Sequence, residues 1–427
     1  MNILVLGGGG REHALAWAIA QNPKCDRLIV APGNPGIAEI AETVAVDPTD
    51  AVAVLRLVHE VEADFVVIGP EAPLAAGVSD ALMAAGVLVF GPSAAAARLE
   101  ASKAFTKEVC DAVGAPTAAW ARFDNLEDAR THIAQLGTPI VVKADGLAAG
   151  KGVVIPSNPD EALEAVERML GGAHGAAGHT VVIEEFMAGE EASLFVLVDG
   201  AQVVPIGSAQ DHKRVGDGDT GPNTGGMGAY SPAPILTPAR ERLALDTIIR
   251  PTMAEMVRRG TPYRGVLYAG LMIDGDRVRL VEYNARFGDP ECQALMLRLG
   301  AQVLDLMLAC AEGRLSEVRP VWADDHALCV VLAARGYPDK PVTGGVIGGL
   351  EGMPADSWQQ IFHAGTRRDE GGVLRAAGGR VLNATARGRT LREARDRAYA
   401  MADQVLWADG YMRRDIGWRA LPAEAEG

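Results

Sequence analysis

The stretch Pro139 to Pro156, PIVVKADGLAAGKGVVIP, limits what this chain can become more than any other. An apolar run carries Lys143 into a loop of small residues, Gly146, Ala148, Ala149, Gly150 and Gly152, and a second apolar run, Val153 to Ile155, follows at once. The pattern predicts a β-hairpin with a glycine-rich tip and two lysines, Lys143 and Lys151. Glycine lets a backbone approach a ligand and turn several N–H groups towards one anion, so phosphate is the expected guest. The P-loop pattern G-x-x-x-x-G-K-[ST] fails here. Three residues separate Gly146 from Gly150, Gly152 stands where Ser or Thr is required, and a strand follows instead of a helix. A strand-loop-strand lid over a nucleotide fits the residues. A plain surface hairpin that happens to carry lysines is the alternative this stretch alone leaves open.

A chain of 427 residues, 48% of them apolar, can form roughly two to four domains with buried cores. The net charge of −15 speaks against nucleic acid, which rewards basic patches, although a local cluster of Lys and Arg can still hold a small anion. The amino terminus lacks the pattern of a signal peptide, and no apolar run approaches the roughly 18 residues that cross a bilayer. A cytoplasmic protein with small-molecule partners, and with neither nucleic acid nor membrane, is the expectation. The five cysteines, Cys25, Cys110, Cys292, Cys310 and Cys329, are widely spaced with no C-x-x-C, so free thiols are expected.

Ile3 to Leu6 reads as a strand running into Gly7 to Gly10, then Arg11-Glu12-His13 and a helix to Gln21. Strands at Leu28 to Ala31, Asp64 to Gly69 and Leu88 to Phe90, alternating with helical segments, predict a doubly wound parallel sheet. The dinucleotide fingerprint G-x-G-x-x-G fails: Glu12 and His13 occupy the positions of its last glycine, and the second strand ends in Ala31-Pro-Gly33 without a ribose-binding acid. What remains is a helix amino terminus with glycines and Arg11 beside it. That is either a site for one phosphate group or a tight turn that packs helix on sheet.

Ser102 is placed to cap a helix from Lys103 to Val113, Asn125 a helix to about Leu136, and Thr180 to Phe186 reads as a strand carrying Glu184-Glu185. Ser193 to Val198 and Gln202 to Ser208 form an expected hairpin. From Asp211 to Tyr230 no periodicity is visible; both signs of charge, with His212, Lys213 and Arg214, favour a binding loop. Pro238 to Arg259 is an expected long helix. The strand Val278 to Tyr283 runs into Glu282-Tyr-Asn-Ala-Arg286, and alternation puts Glu282, Asn284 and Arg286 on one side. A carboxylate and an amide oxygen are hard ligands that suit Mg²⁺ sharing its coordination with substrate phosphates, and Arg286 can grip a carboxylate or phosphate with two hydrogen bonds. Residues 323–427 read as a smaller α+β domain without an acid-base constellation.

Taken together, Lys143, the glycine loop, Glu184-Glu185 and Glu282-x-Asn284-x-Arg286 resemble an ATP-grasp ligase. Gly8-Gly-Gly-Arg-Glu-His-Ala14, Gly69-Pro-Glu-Ala-Pro73, His212-Lys-Arg-Val-Gly216 through Met227-Gly-Ala-Tyr-Ser-Pro232, and Arg286-Phe-Gly-Asp-Pro-Glu291 are similar to the phosphoribosylamine–glycine ligase family, as are Phe362-His-Ala-Gly-Thr366 and Gly378-Gly-Arg-Val-Leu382. The likeness covers nearly the whole chain.

The resemblance implies α/β and α+β architecture in three parts: an N-terminal doubly wound domain, 1–101; an ATP-grasp domain, 102–322, with a hairpin lid subdomain at about 123–190; and a C-terminal α+β domain, 323–427. It implies ATP-dependent ligation of glycine to 5-phospho-β-D-ribosylamine, with Mg²⁺ or Mn²⁺, in purine synthesis. By similarity, Lys103 and Lys143 contact ATP phosphates, Gly150, Lys151 and Gly152 cover them, Glu184, Glu185, Phe186 and Met187 meet adenine, and Glu191 holds the ribose. Glu282 and Asn284 bind the metal ion; Arg286, Lys213 and Asp211, with His212 and Arg214, face glycine and the acyl phosphate; Gly8, Gly9, Gly10 and Arg11 receive the substrate phosphate. A monomer, with a transient contact to the amidotransferase of the preceding step, is expected. Another ATP-grasp enzyme of purine metabolism and a nucleotide-binding regulatory protein are the competing readings.

Overall fold

The protein is described by a computed structural model covering residues 1–147, 152–173, 179–353 and 355–421. Near-continuous apolar runs flanked by helices produce a parallel sheet at the N-terminus. Among the described residues it has five strands, in the order Glu42–Thr43, Arg27–Pro32, Asn2–Gly7, Phe65–Ile68, Leu88–Phe90, so the chain winds outward in both directions from the first strand, as expected. The helix Ala51–Glu60 is started by Asp50, whose carboxylate accepts from the N–H groups of Val52 and Ala53. The helix Gly10–Ala20 leaves the end of the first strand and is capped by its own Glu12, which accepts from Gly9 N–H at 2.8 Å.

The expected hairpin is present: Ile140–Ala144 runs antiparallel to Val153–Val154, with Lys143 opposite Val153. It belongs to a four-stranded sheet that also contains Val181–Glu185 and Trp120–Phe123. Helices Leu126–Leu136 and Pro159–Arg168, each capped by an asparagine, Asn125 and Asn158, cover one face with Ala129, Ile133, Ala162, Ala165 and Val166. This small layer has a core of its own.

A second, larger sheet carries the rest. Glu190–Asp199, Val203–Asp211, Arg264–Asp274 and Arg277–Asn284 pair antiparallel, and Gly228–Ser231 joins Val203–Asp211 on one side to His326–Ala334 on the other. The sheet then continues through Arg380–Gly388 to Gln359–His363. It therefore runs without a break across the expected boundary between 322 and 323. The segment 211–230, read as irregular, contains the hairpin Arg214–Gly216 with Thr220–Asn223 and this bridging strand. Three glycines in it, Gly218, Gly221 and Gly226, have positive φ, which hides the strand pattern from a periodicity argument. The helix expected over 238–259 is present as Pro238–Ala244 and Arg250–Arg258, joined by a π-helical stretch, Leu245–Ile249. All five cysteines are free and four are buried.

Ends of the chain are tied together through histidines. His13 of the first helix accepts from the N–H of His363 at 2.8 Å and meets Phe362 edge-on. Burial, with His363 as neighbour, pushes His13 down to about 3, while burial brings His363 to about 4. His212, equally buried, accepts from Gly417 N–H at 3.0 Å and is lowered to about 4 by burial and then by Arg413. These rings stay neutral in the folded chain but take up protons near pH 6.5 when it unfolds. Their contribution is intact above about pH 6.5 and is lost progressively as pH falls towards 4. We predict that the unfolding free energy, from urea titrations between pH 7.5 and 5, falls with a slope approaching three protons, partly offset by the raised carboxyl of Glu291. His212→Gln should lower that slope by one proton; an unchanged slope contradicts the assignment.

Candidate active site

The two sheets face each other across a cleft, and the lid sheet contributes its basic side chain first. Lys143 is buried, and its ammonium lies 2.9 Å from Glu184 on the neighbouring strand. The other carboxylate oxygen of Glu184 lies 3.1 Å from Lys107, one helical turn beyond Lys103. Burial opposes the charge on Lys143, but Glu184, Glu282 and Glu191 together raise its pKa; at Lys107 burial wins and the pKa is lowered. Lys103 points at the same region, donating to the carbonyl of Gly146 at 3.2 Å. Lys103, Lys107, Glu184 and Glu282 line one narrow cavity. Gly152 is buried at the base of the hairpin, whereas Gly150 and Lys151 lie outside the described residues.

The larger sheet supplies the opposite wall. Glu282 and Asn284 stand at alternate positions of one strand, opposite Gly270 and Tyr268. The Glu282 carboxyl, against the cost of burial, is held down by Lys103, Lys143, Lys213 and Arg286. Asn284 Oδ1 accepts from Arg286 at 3.3 Å. Arg286 also reaches into the N-terminal part of the chain: it lies 2.9 Å from Glu100 and 3.2 Å from Glu71, and these carboxylates raise its pKa although burial opposes them. Lys213 bridges Asp211 at 2.9 Å and Glu191 at 2.7 Å. The structure thus brings Lys103, Lys143, Glu191, Asp211, Lys213, Glu282, Asn284 and Arg286 to one cleft.

Other expected site residues are placed differently. His212 is wholly buried and anchors the loop to Gly417. Arg214 donates to the carbonyl of Gly221 within its own hairpin. Arg11 is buried, donating to Glu12 at 2.6 Å and to the carbonyl of Phe287 at 3.1 Å. A Cβ on Gly9 would lie 2.9 Å from the Glu12 carboxylate, and one on Gly8 would lie 2.5 Å from the carbonyl of Gly33. Close packing therefore accounts for part of the glycine run. Glu185 pairs with Arg279 at 2.8 Å, and the strand ends there, leaving the main chain of Phe186 and Met187 beyond the ladder.

Several side chains of the site were not singled out from sequence. Lys107 repeats Lys103 at a helical interval, Glu71 sits inside the Gly69-Pro-Glu-Ala-Pro73 motif, and Glu291 closes the motif that begins at Arg286. Glu100 gave no such signal. The loop is held from behind by Arg413, fully buried, which donates to Asp219 at 2.8 Å and to the carbonyl of Arg214 at 3.0 Å.

A carboxylate and an amide oxygen at alternate positions of one strand suit Mg²⁺, which takes its remaining ligands from water and phosphate, better than a closed protein cage would. No cluster of three or more His, Cys, Asp or Glu that could hold a metal is found among the described residues. A lysine-lined lid opposite such donors suits a nucleotide triphosphate. The chain matches the models of the phosphoribosylglycinamide synthetase family in all three parts: the N domain over 1–100, the ATP-grasp (A) domain over 101–292 and the C domain over 327–419. The chain belongs to the phosphoribosylglycinamide synthetase family.

Its similarity to curated relatives extends end to end. The phosphoribosylamine–glycine ligase of Mesorhizobium japonicum is 55% identical over 424 residues, 99% of each chain. That of Salmonella typhimurium is 49% identical over 428 residues, 99% of this chain and 100% of the relative. The crystal structure of the Thermotoga maritima phosphoribosylamine–glycine ligase superposes with a TM-score of 0.86 at 33% identity, covering 97% of this chain and 100% of that one. The biotin carboxylase domain of the Hydrogenobacter thermophilus 2-oxoglutarate carboxylase, at 17% identity and a TM-score of 0.75 over 96% and 91% of the two chains, shares the fold.

As a member of this family the chain is an ATP-dependent ligase of purine biosynthesis. It joins glycine to 5-phospho-β-D-ribosylamine through glycyl phosphate, giving the glycinamide ribonucleotide, ADP and phosphate, with Mg²⁺ or Mn²⁺ as metal cofactor. Removing the charge of Glu184 leaves two buried ammonium groups without their counter-ion. We predict that Glu184→Gln lowers the unfolding free energy of the nucleotide-free protein by about 3 kcal/mol, read from urea unfolding. An unchanged midpoint contradicts the ion triad.

Proposed function

We propose that the reaction is run by the residues that meet at this cleft, and the observation that carries the reading is the convergence of Lys143, Glu282, Asn284 and Arg286 from two facing sheets. Lys103 and Lys143 hold the ATP phosphates, and Gly150, Lys151 and Gly152 close over them. Adenine meets the main chain of the segment Glu184, Glu185, Phe186 and Met187, where the end of the strand at Glu185 makes Phe186 and Met187 the available positions. Glu191 holds the ribose hydroxyls. Glu282 and Asn284 are the metal ligands; when bound, the ion neutralises charge on the transferring phosphoryl group.

Arg286 orients the glycine carboxylate, and the rigid hold of Glu71 and Glu100 on its guanidinium fixes that orientation. A carboxylate oxygen attacks the γ-phosphorus and ADP leaves. The amine of the sugar then attacks the acyl carbon, losing a proton, and phosphate leaves. Asp211 and Lys213, with His212 and Arg214 shaping their loop, face the acyl phosphate. Gly8, Gly9, Gly10 and Arg11 receive the phosphate of phosphoribosylamine. In this reading the three units are 1–101, 102–322 and 323–427. The protein works as a cytoplasmic monomer with a transient contact to the amidotransferase that makes the unstable amine. Among the described residues no single helix is long and apolar enough to cross a membrane.

Glu282→Ala and Asn284→Ala should each lower glycine-dependent ADP release by on the order of 10²-fold or more with the thermal midpoint unchanged. Lys143→Ala should weaken ATP binding by a similar factor. Mg²⁺-dependent turnover at the wild-type rate in the first two variants, or unaltered ATP affinity in the third, contradicts the assignments.

A further inference from the structure

The acidic side chains around the cleft differ in what holds them. Glu71 and Glu100 rest on Arg286, Glu184 on Lys107 and Lys143, Glu191 and Asp211 on Lys213, and Asp289 accepts from Gln293 and faces Arg380. Glu282, the proposed metal ligand, and Glu291 make no salt bridge among the described residues; Glu282 is nonetheless faced by Lys103, Lys143, Lys213 and Arg286.

Glu291 is 3% exposed and opens the helix Glu291–Leu299. Its carboxylate folds back over Gly288, where a Cβ would come within 2.3 Å of Oε2. Its hydrogen-bonding partner is its own backbone N–H, and the charges around it are Asp211, Lys213 and Arg286. Burial, and then the negative charge of Asp211, push its pKa well above the usual carboxylate range. A buried carboxylate beside a second one is costly unless a cation joins them. Of the three substrates, glycine brings a cation: its ammonium group, with three N–H donors that two carboxylates can share.

We propose that Glu291, together with Asp211, binds the ammonium group of glycine. The assignment rests on the reading above in which Arg286 holds the glycine carboxylate; four residues of chain then separate the groups that take the two ends of the amino acid. It also accounts for which end of glycine reacts: between two carboxylates the amine stays protonated and its electron pair is unavailable, so the carboxylate oxygen is the nucleophile towards the γ-phosphorus.

The test is Glu291→Gln in the full-length protein, assayed with ATP, Mg²⁺, glycine and phosphoribosylamine. The expected result is a rise in the KM for glycine on the order of 10²-fold, with the dependence on ATP, Mg²⁺ and phosphoribosylamine within about twofold of wild type. Glycolate keeps the carboxylate but offers a hydroxyl where glycine has an ammonium. The preference of the wild type for glycine over glycolate, measured by inhibition, should collapse in the variant. Glu291→Asp, which keeps the charge, should lie between the two and serves if the Gln variant does not fold. A glycine KM within twofold of wild type overturns the proposal, as does a shift in Mg²⁺ dependence alone, which would assign Glu291 to a second metal ion. If Glu282→Ala and Asn284→Ala lose Mg²⁺-dependent turnover while Glu291→Gln keeps its glycine KM, the cleft assignment stands and only this inference fails.

Discussion

Arg286 is the interaction on which the site depends. It leaves the end of the strand Arg277–Asn284, touches Asn284, and is held by Glu71 and Glu100 from the part of the chain matched by the N domain. Such a guanidinium is expensive to bury, and its two carboxylates offset that cost only in one geometry. The N-terminal doubly wound sheet is therefore fixed to the catalytic sheet by charge as well as by packing. A side chain fixed from three directions can present a constant face to a small carboxylate, which matters because phosphoryl transfer is catalysed mainly by position and charge.

The lid obeys a different rule. Glu184 holds the buried Lys107 and Lys143, so the cationic groups that would meet a triphosphate already have a counter-ion in the protein without nucleotide. Phosphates bound there, as proposed, would compete with this carboxylate. On the far side, the hairpin 214–223 is fastened to the C-terminal segment by Arg413, Asp219 and Asp415, with His212 received by Gly417. The C-terminal part thus holds the loop that carries Lys213, and the large sheet continues from that loop into it.

Much of this was legible in the sequence because its signals are local. The apolar strands at Ile3 to Leu6 and Phe65 to Ile68, the caps at Ser102 and Asn125, and the Glu282-x-Asn284-x-Arg286 alternation each depend on a few neighbouring residues. What was not legible depends on long-range pairing. Glu100 looks like any helical surface acid until Arg286 arrives from 186 positions away, and Ala285 N–H, which donates to it, comes from 185 away. His212 and Arg11 are buried against partners that include Gly417 and Phe287, residues remote in sequence that no local pattern announces. The composition of the loop 211–230 led to the expectation of a binding loop, but its strands, broken up by glycines with positive φ, were not visible.

The central claim is that the fixed Arg286 guanidinium organises glycine for attack. Arg286→Lys keeps the positive charge but loses the fork that spans Glu71, Glu100 and Asn284. Glycine-stimulated ADP release, measured at saturating ATP and Mg²⁺ beside a thermal midpoint showing a folded protein, is predicted to fall by on the order of 10²-fold. Release at the wild-type rate from that variant would contradict the account.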